Sequence, residues 1–401
     1  MRAIISLLFL GLITFNSAAA QTENAVPQKP SAKGSAEAIE LGERHTLHSD
    51  ILGEDREILI RLPAGYQQSE TSVRYPVIFI LDGDSHFGHA SVGAGLLERY
   101  RRMPEAIIVA LPNNPGTRGR DLAREKDNFS RFISEEVFTF IEANYRTSGN
   151  KTLFGHSLAG YFTLSMLADH NDMFDNYIAA SPVVQVRGSE LLGKFETILA
   201  NDASLSKSVF FTITNAVEEG DEATGALNKL VALFKDKAPD EFKWRYDFID
   251  AHIHMTTPYL TLYSGLSHVF ADFQTPSFPS TAAYQKAGGM AALKAYFETR
   301  AAKYGRDPRV SQASIRSLAY LYSGEGKHSQ AIALFTENSK NFADKPRVYN
   351  SLGDGYEAAG MLEKALASYQ MAVKLAEQQN SRNAAAFKGQ AARIEEKLAE
   401  E

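Results

Sequence analysis

The sequence predicts an α/β fold, a mostly parallel sheet with helices on both faces, followed by an all-α segment. Three observations predict it. Short continuous apolar runs, Pro76 to Asp82 and Ala106 to Pro112, read as strands buried on both faces. Segments of helical spacing separate such runs; Phe129 to Tyr145 has apolar residues at 129, 132, 133, 137, 140 and 141. After about Pro276 the strand signals stop, and an alanine-rich helical pattern takes over from Ala282.

The elements follow in order. Glu57 to Pro63 alternates as a strand and ends in Pro-Ala-Gly-Tyr66. The two continuous strands and the helix Phe129–Tyr145 come next, then a strand ending near Gly155 and a helix reaching about His170. Tyr177 to Pro182, Val209 to Thr214 and Trp244 to Ile249 complete the strands, with helical segments between them. This assigns residues 38–275 to one α/β domain. In residues 280–401 an internal repeat appears. Tyr349, Leu352, Gly353, Tyr356, Ala365, Tyr369 and Ala372 keep tetratricopeptide spacing, and Ile315, Leu318, Ala319, Tyr322, Ala331 and Phe335 lie 34 residues earlier. Asn338 stands where the second copy has Ala372. Ala282 to Tyr304 is expected to form preceding helices, and Ala384 to Leu398 a capping helix.

Composition narrows the class. The chain of 401 residues is 44% hydrophobic and 22% charged, as ordinary globular proteins are. A net charge of −6 without a basic run argues against nucleic acid as a partner. With no cysteine, there is no thiol catalyst and no disulfide. Met-Arg, an apolar stretch and Ser17-Ala-Ala-Ala20-Gln21 read as a cleavable signal over residues 1–20, followed by a Pro/Ala/Ser/Gln/Lys-rich linker over 21–37. The apolar stretch is too short to span a bilayer. The expectation is a bacterial periplasmic or secreted protein with no transmembrane anchor after cleavage.

Lys151-Thr-Leu-Phe-Gly-His-Ser157-Leu-Ala-Gly160 carries the chemistry. A strand, a Gly-x-Ser turn and a helix together make the nucleophile elbow of an α/β-hydrolase, which lifts one serine hydroxyl above a parallel sheet. Glycine is expected where a Cβ would collide. The helix N-terminus offers backbone N–H groups to a developing oxyanion. The fifth position of the usual Gly-x-Ser-x-Gly is Ala159, with glycine following at Gly160.

Ser157 needs a general base and an acid that orients it, in the chain order Ser, acid, His. His252 and His254 lie in the strand-to-helix loop where the base belongs, and either satisfies the pattern. His268 falls inside the next helix. The acid is expected in the cluster Glu218, Glu219, Asp221 and Glu222, just past a strand. One oxyanion donor is the amide of Leu158; the second is the amide of Asp84 or Ser85, after Gly83 lets the backbone turn. Asp82 and Asp84 lack further spaced ligands, so neither a metal nor a cofactor is expected.

Several segments together resemble the esterase family of α/β-hydrolases that includes enterochelin esterase-like and esterase D-like enzymes. They are Ser49 to Ile58, Tyr75 to Asp84, Thr117 to Leu122, Phe132 to Val137, Gly155 to Gly160, Phe174 to Pro182 and His254 to Leu266. The resemblance covers about residues 40–272, and members with a C-terminal tetratricopeptide-like region are familiar. It implies carboxylic ester hydrolysis, with His254 at the first position of the histidine loop as base. It suggests Glu219 before Glu218 as the acid, and does not imply a siderophore substrate. Two departures stand out: Ala159 replaces a common glycine, and Ser181-Pro-Val-Val-Gln-Val lacks the aromatic pair that often follows Ser-Pro. The expected partner is a small-molecule or glycoconjugate ester. Rival readings are acyl transfer from the same site, and an inert hydrolase scaffold that binds protein or self-associates through its repeats.

Overall fold

The computed structural model describes residues 38–188 and 190–400. The expected signal and linker lie outside the described residues.

Eight strands form one sheet in the order β1-β2-β4-β3-β5-β6-β7-β8. They are β1 (Glu43–Ser49), β2 (Glu54–Arg61), β3 (Tyr75–Leu81), β4 (Ile107–Leu111), β5 (Thr147–His156), β6 (Asn176–Ala180), β7 (Ser208–Ile213) and β8 (Lys243–Phe248). From β4 through β8 neighbouring strands are parallel; β1 with β2 and β2 with β4 are antiparallel. The parallel centre is apolar because both its faces are covered: every residue of β3, β4 and β6 is buried.

Helices α1 (Gly83–Arg99), α2 (Lys126–Arg131), α3 (Phe138–Asn144), α4 (Leu158–Asp169), α5 (Glu190–Asn201), α6 (Ala216–Glu219), α7 (Asp221–Lys237) and α8 (Thr257–Val269) connect the strands. The sheet separates two cores. One holds Phe79, Phe129, Phe162, Phe211 and Phe234. The other, on the opposite face, holds Ile78, Phe154, Ile178, Leu262 and Leu266.

One expectation is corrected here. The segment 129–145 is not one regular helix, because a wide π-helical turn over Phe132–Val137 separates α2 from α3. His45 and His48 sit on β1, an edge strand whose charged sequence Glu-Arg-His-Thr-Leu-His-Ser hides its pairing with β2.

Beyond α8 the described chain is helical: α9 (Thr281–Lys286), α10 (Gly289–Tyr304), α11 (Gln312–Gly324), α12 (His328–Asn341), α13 (Pro346–Ala358), α14 (Leu362–Gln378) and α15 (Ala384–Glu400). The 34-residue offset read from the sequence superposes α11–α12 on α13–α14. Close helix crossing explains Gly353, where a Cβ would lie 2.6 Å from the Tyr369 ring. Asn338 is buried at the odd position and donates to the Gln312 carbonyl at 3.1 Å. Tyr304 ends α10 fully buried in the second core of the sheet, and a Cβ on the next residue, Gly305, would meet Arg74 at 2.3 Å. These contacts bind the first long C-terminal helix to the sheet-bearing part.

Candidate active site

Strand β5 delivers Ser157 to the C-terminal edge of the parallel strands. The serine has φ 59 and ψ −116, a left-handed conformation that a side-chain-bearing residue holds only when its surroundings impose it. They do so by close approach. A Cβ on Gly155 would sit 2.2 Å from the Ala159 carbonyl oxygen, and one on Gly160 would touch Pro182 at 3.0 Å. Ala159 is fully buried, so a methyl is accommodated at the position where glycine is common. The Ser157 amide donates to Ala180 O at 2.9 Å, which ties the elbow to β6.

Ser157 immediately precedes α4, so the Leu158 amide heads a helix whose first N–H groups have no partner within it. Across the sheet, α1 starts beside β4. The positive φ of this turn belongs to Asp82 (φ 52) and not to Gly83, which corrects the turn role expected for the glycine. Gly83 is required for proximity: a Cβ there would lie 2.7 Å from the Pro112 nitrogen. Of the two amides offered at this turn, that of Ser85 already donates to Asp82 O at 3.0 Å, leaving Asp84 as the candidate.

Glu219 closes the short helix α6 behind β7, and its carboxylate side chain is 2% exposed. Its Oε2 lies 2.7 Å from His254 Nδ1. A carboxylate only accepts, so Nδ1 carries the proton and the Nε2 lone pair of a neutral ring is left for a second proton. Burial works to push the Glu219 carboxyl up; hydrogen bonds from His254 and Ser181 outweigh it and hold the group below its ordinary range. The other acids of the cluster point elsewhere: Glu218, Asp221 and Glu222 are exposed. His252 turns to Thr256 Oγ1 at 3.3 Å, and His268 is half-buried in α8 against Phe210. Among the described residues, the Ser157 hydroxyl and His254 are not hydrogen-bonded to each other.

The sequence did not point to the residues that hold these groups. His156, beside the serine, is 4% exposed, and its Nε2 donates to the His254 carbonyl at 3.0 Å. Thr257 Oγ1 donates to the same carbonyl at 3.0 Å and meets Ser181 Oγ at 2.9 Å. His86 packs edge-on against His156 and pairs with His89 at 3.0 Å. Burial, then the neighbouring His254 and His86 rings, pull His156 down to about 4; burial, then His86, pull His89 to about 4. Asp82, considered above as a metal ligand, instead takes Arg118 through both oxygens at 2.7 and 2.9 Å and Asn113 at 2.6 Å. Arg118 also reaches the His156 carbonyl at 3.3 Å. Behind it, buried Arg56 pairs with buried Asp121 at 2.6 Å and fixes Pro112 O at 3.1 Å. These links join residues 82, 118 and 156, which no local motif associates.

Residues 49–222 match the family described as "Putative esterase". That stretch of the chain is similar to this esterase family. It is 31% identical over 142 residues to the ferri-bacillibactin esterase BesA of Bacillus subtilis, a match covering 27% of this chain and 48% of that protein. The chain thus spans about half the length of this curated relative. In fold it is similar to an IroE-like serine hydrolase from Shewanella oneidensis, with TM-score 0.59 and 22% identity over 75% of this chain and 99% of that one. An uncharacterised protein from Capnocytophaga ochracea has TM-score 0.62 and 16% identity, covering 88% of this chain and 99% of its own. That coverage exceeds what the sheet-bearing part alone supplies, so the fold likeness reaches into the C-terminal helices.

Proposed function

We propose that the protein is a periplasmic serine hydrolase of carboxylic esters. The observation that carries this reading is the buried Glu219 carboxylate 2.7 Å from His254 Nδ1, in the same site as a serine held at φ 59 on an elbow. Ser157 Oγ attacks the ester carbonyl carbon while His254 Nε2 takes its proton. Glu219 keeps the proton on Nδ1 and stabilises the imidazolium that forms. The Leu158 and Asp84 amides, each at a helix N-terminus, donate to the tetrahedral oxyanion. Collapse expels the alcohol, which receives the proton from His254. Water, deprotonated by His254, then releases the acid from Ser157.

The name of the Bacillus subtilis relative supports ester cleavage, and the exposed Val217, Ile253, Met255 and Tyr259 beside Glu219 and His254 favour an ester with an apolar or aromatic portion. A buried, hydrogen-bonded acid also supports an active centre over an inert scaffold. Water and another hydroxyl compound enter the second step by the same chemistry, so acyl transfer is tested together with hydrolysis. A p-nitrophenyl ester gives an initial burst of phenolate equal to the enzyme concentration where deacylation limits turnover; added methanol then diverts acyl product without changing the burst. Turnover that persists in Ser157→Ala contradicts the assignment. The residues 1–20 reading is tested by the N-terminus of the mature protein, expected at Gln21.

A further inference from the structure

Away from Ser157, three connected hollows of 880, 720 and 390 Å³ run between the C-terminal end of α1 and the helices that follow the sheet. The first two share Arg101, Thr275 and Ser311, and the second and third share Ser317 and Tyr320, so they form one groove. Its charge is one-sided. Arg99, Arg101, Arg102, Arg300, Arg316 and Arg347 line it, and among the described residues none of them is paired to a carboxylate. The acids along it are engaged already: Glu98 with Arg61 at 2.7 Å, Glu105 with Arg306 at 3.2 Å and Asp307 with Arg309 at 2.6 Å.

The arginines crowd one another. Burial, and then Arg347 and Arg101 against the opposing effect of Tyr320, draw the Arg316 guanidinium below its ordinary range. Burial also leads the lowering at Arg300, with Arg306 and Arg101 adding to it. Arg101 thus acts on both walls, and its own backbone is left-handed at φ 55. Like charges gathered without counter-charge raise the energy of the free groove, and an anion that enters it removes that repulsion. Two polar atoms buried at its wall have no hydrogen-bond partner: Arg300 Nε and the carboxamide oxygen of Asn350, a residue 9% exposed.

We propose that this groove binds an extended acidic peptide segment of a partner protein. Its Asp and Glu side chains would pair with Arg101, Arg316 and Arg347. One of its backbone N–H groups would meet Asn350, an acceptor for which a bare polyphosphate has no donor. Val92, Leu96 and Tyr100, 67%, 46% and 68% exposed beside the arginines, take the apolar side chains between the acids. A recessed groove with half-buried Arg300 suits an inserted chain better than a flat lipid surface. The successive first helices α11 and α13 present Arg316 and Arg347 to the same hollow, as stacked helix pairs offer one concave surface to extended partners.

The test uses the full chain and a fluorescein-labelled dodecapeptide of alternating Glu and Leu, read by anisotropy at 0.15 M salt, with the Gln-for-Glu peptide as control. Tight binding of the Glu peptide, at least about tenfold stronger than the control, is expected from charge-assisted pairing. Arg101→Gln with Arg347→Gln, both exposed and so compatible with folding, should weaken it about tenfold or more while ester turnover and the melting temperature stay unchanged. Asn350→Ala should weaken the peptide and leave binding of inorganic polyphosphate unaltered. Equal binding of the two peptides overturns the proposal, as does retention of affinity in the double variant. Preference for phosphatidylglycerol vesicles over the peptide overturns it in favour of a lipid surface. Because the readout is binding, loss of the esterase reading would leave this result standing.

Discussion

The elbow and the helical repeats are both built on close approach at glycine, and they use it differently. At the elbow and the facing turn into α1, absent Cβ atoms at Gly155, Gly160 and Gly83 bring backbone to backbone: the clashes a methyl would make are with a carbonyl oxygen, Pro182 and the Leu111–Pro112 peptide. Backbone cannot step aside, so the strain is stored at Ser157, the proposed nucleophile, at φ 59. In the repeats, Gly353 and Gly355 approach only side chains, the rings of Tyr369 and Phe335, and nothing around them is held at positive φ within α13. The same device sets a serine at positive φ in one region and packs helices in the other.

Several substitutions break or sharpen that contrast. Ser157→Ala should cut ester kcat by a factor on the order of 10⁴ or more with the melting temperature nearly unchanged, since it removes one oxygen and no packing. Glu219→Gln should cost about 10²- to 10⁴-fold in kcat, because the tautomer of His254 is no longer enforced; steady-state kinetics on a p-nitrophenyl ester reads both. Gly155→Ala should destabilise by about 3 kcal/mol or more, as the clash is with backbone, and should abolish turnover in whatever folded fraction remains. Gly353→Ala should destabilise by less, within about 2 kcal/mol, because better helix propensity offsets part of the overpacking, and should leave turnover intact. Denaturant titration ranks the two, and a larger loss at Gly353 than at Gly155 would erase the distinction.

The smallest expected effect is on pH. His89 and His156, held near 4 against an ordinary 6.5, are neutral in the folded protein where the unfolded chain already binds protons. Their lowered values therefore favour the fold above about pH 6.5, and that contribution is lost as pH falls toward 4. Melting temperature should drop over that window. His89→Gln, which removes one of the two groups, should make the drop shallower; an unchanged slope would show that these rings do not set it.

How much of this could be read in advance depends on how local each feature is. The elbow is a contiguous strand, turn and helix, so its residues announce it. The continuous apolar runs of β3 and β4 did the same, because burial on both faces leaves no polar positions. The proposed acid is harder to read. Glu218 and Glu219 are adjacent, and only the orientation of a four-residue helix, capped by the Asn215 side chain, turns one inward and the other to solvent. His252 and His254 differ likewise by which ring the loop faces toward β7. The support built from Asp82, Arg118, His156 and Ser181 was not legible, since it exists only once the sheet brings four separate loops to one edge. Strand β1 was hidden for another reason: an edge strand with solvent on one side keeps charged residues that mask its pairing.

The central claim is that Glu219 and His254 activate Ser157. The most direct measurement is fluorophosphonate labelling of the purified protein, with the adduct located by peptide mass spectrometry. A single adduct on Ser157 is expected, one that disappears in His254→Ala and forms far more slowly in Glu219→Gln. No adduct on a well-folded sample, or one that forms at the same rate without His254, would contradict it.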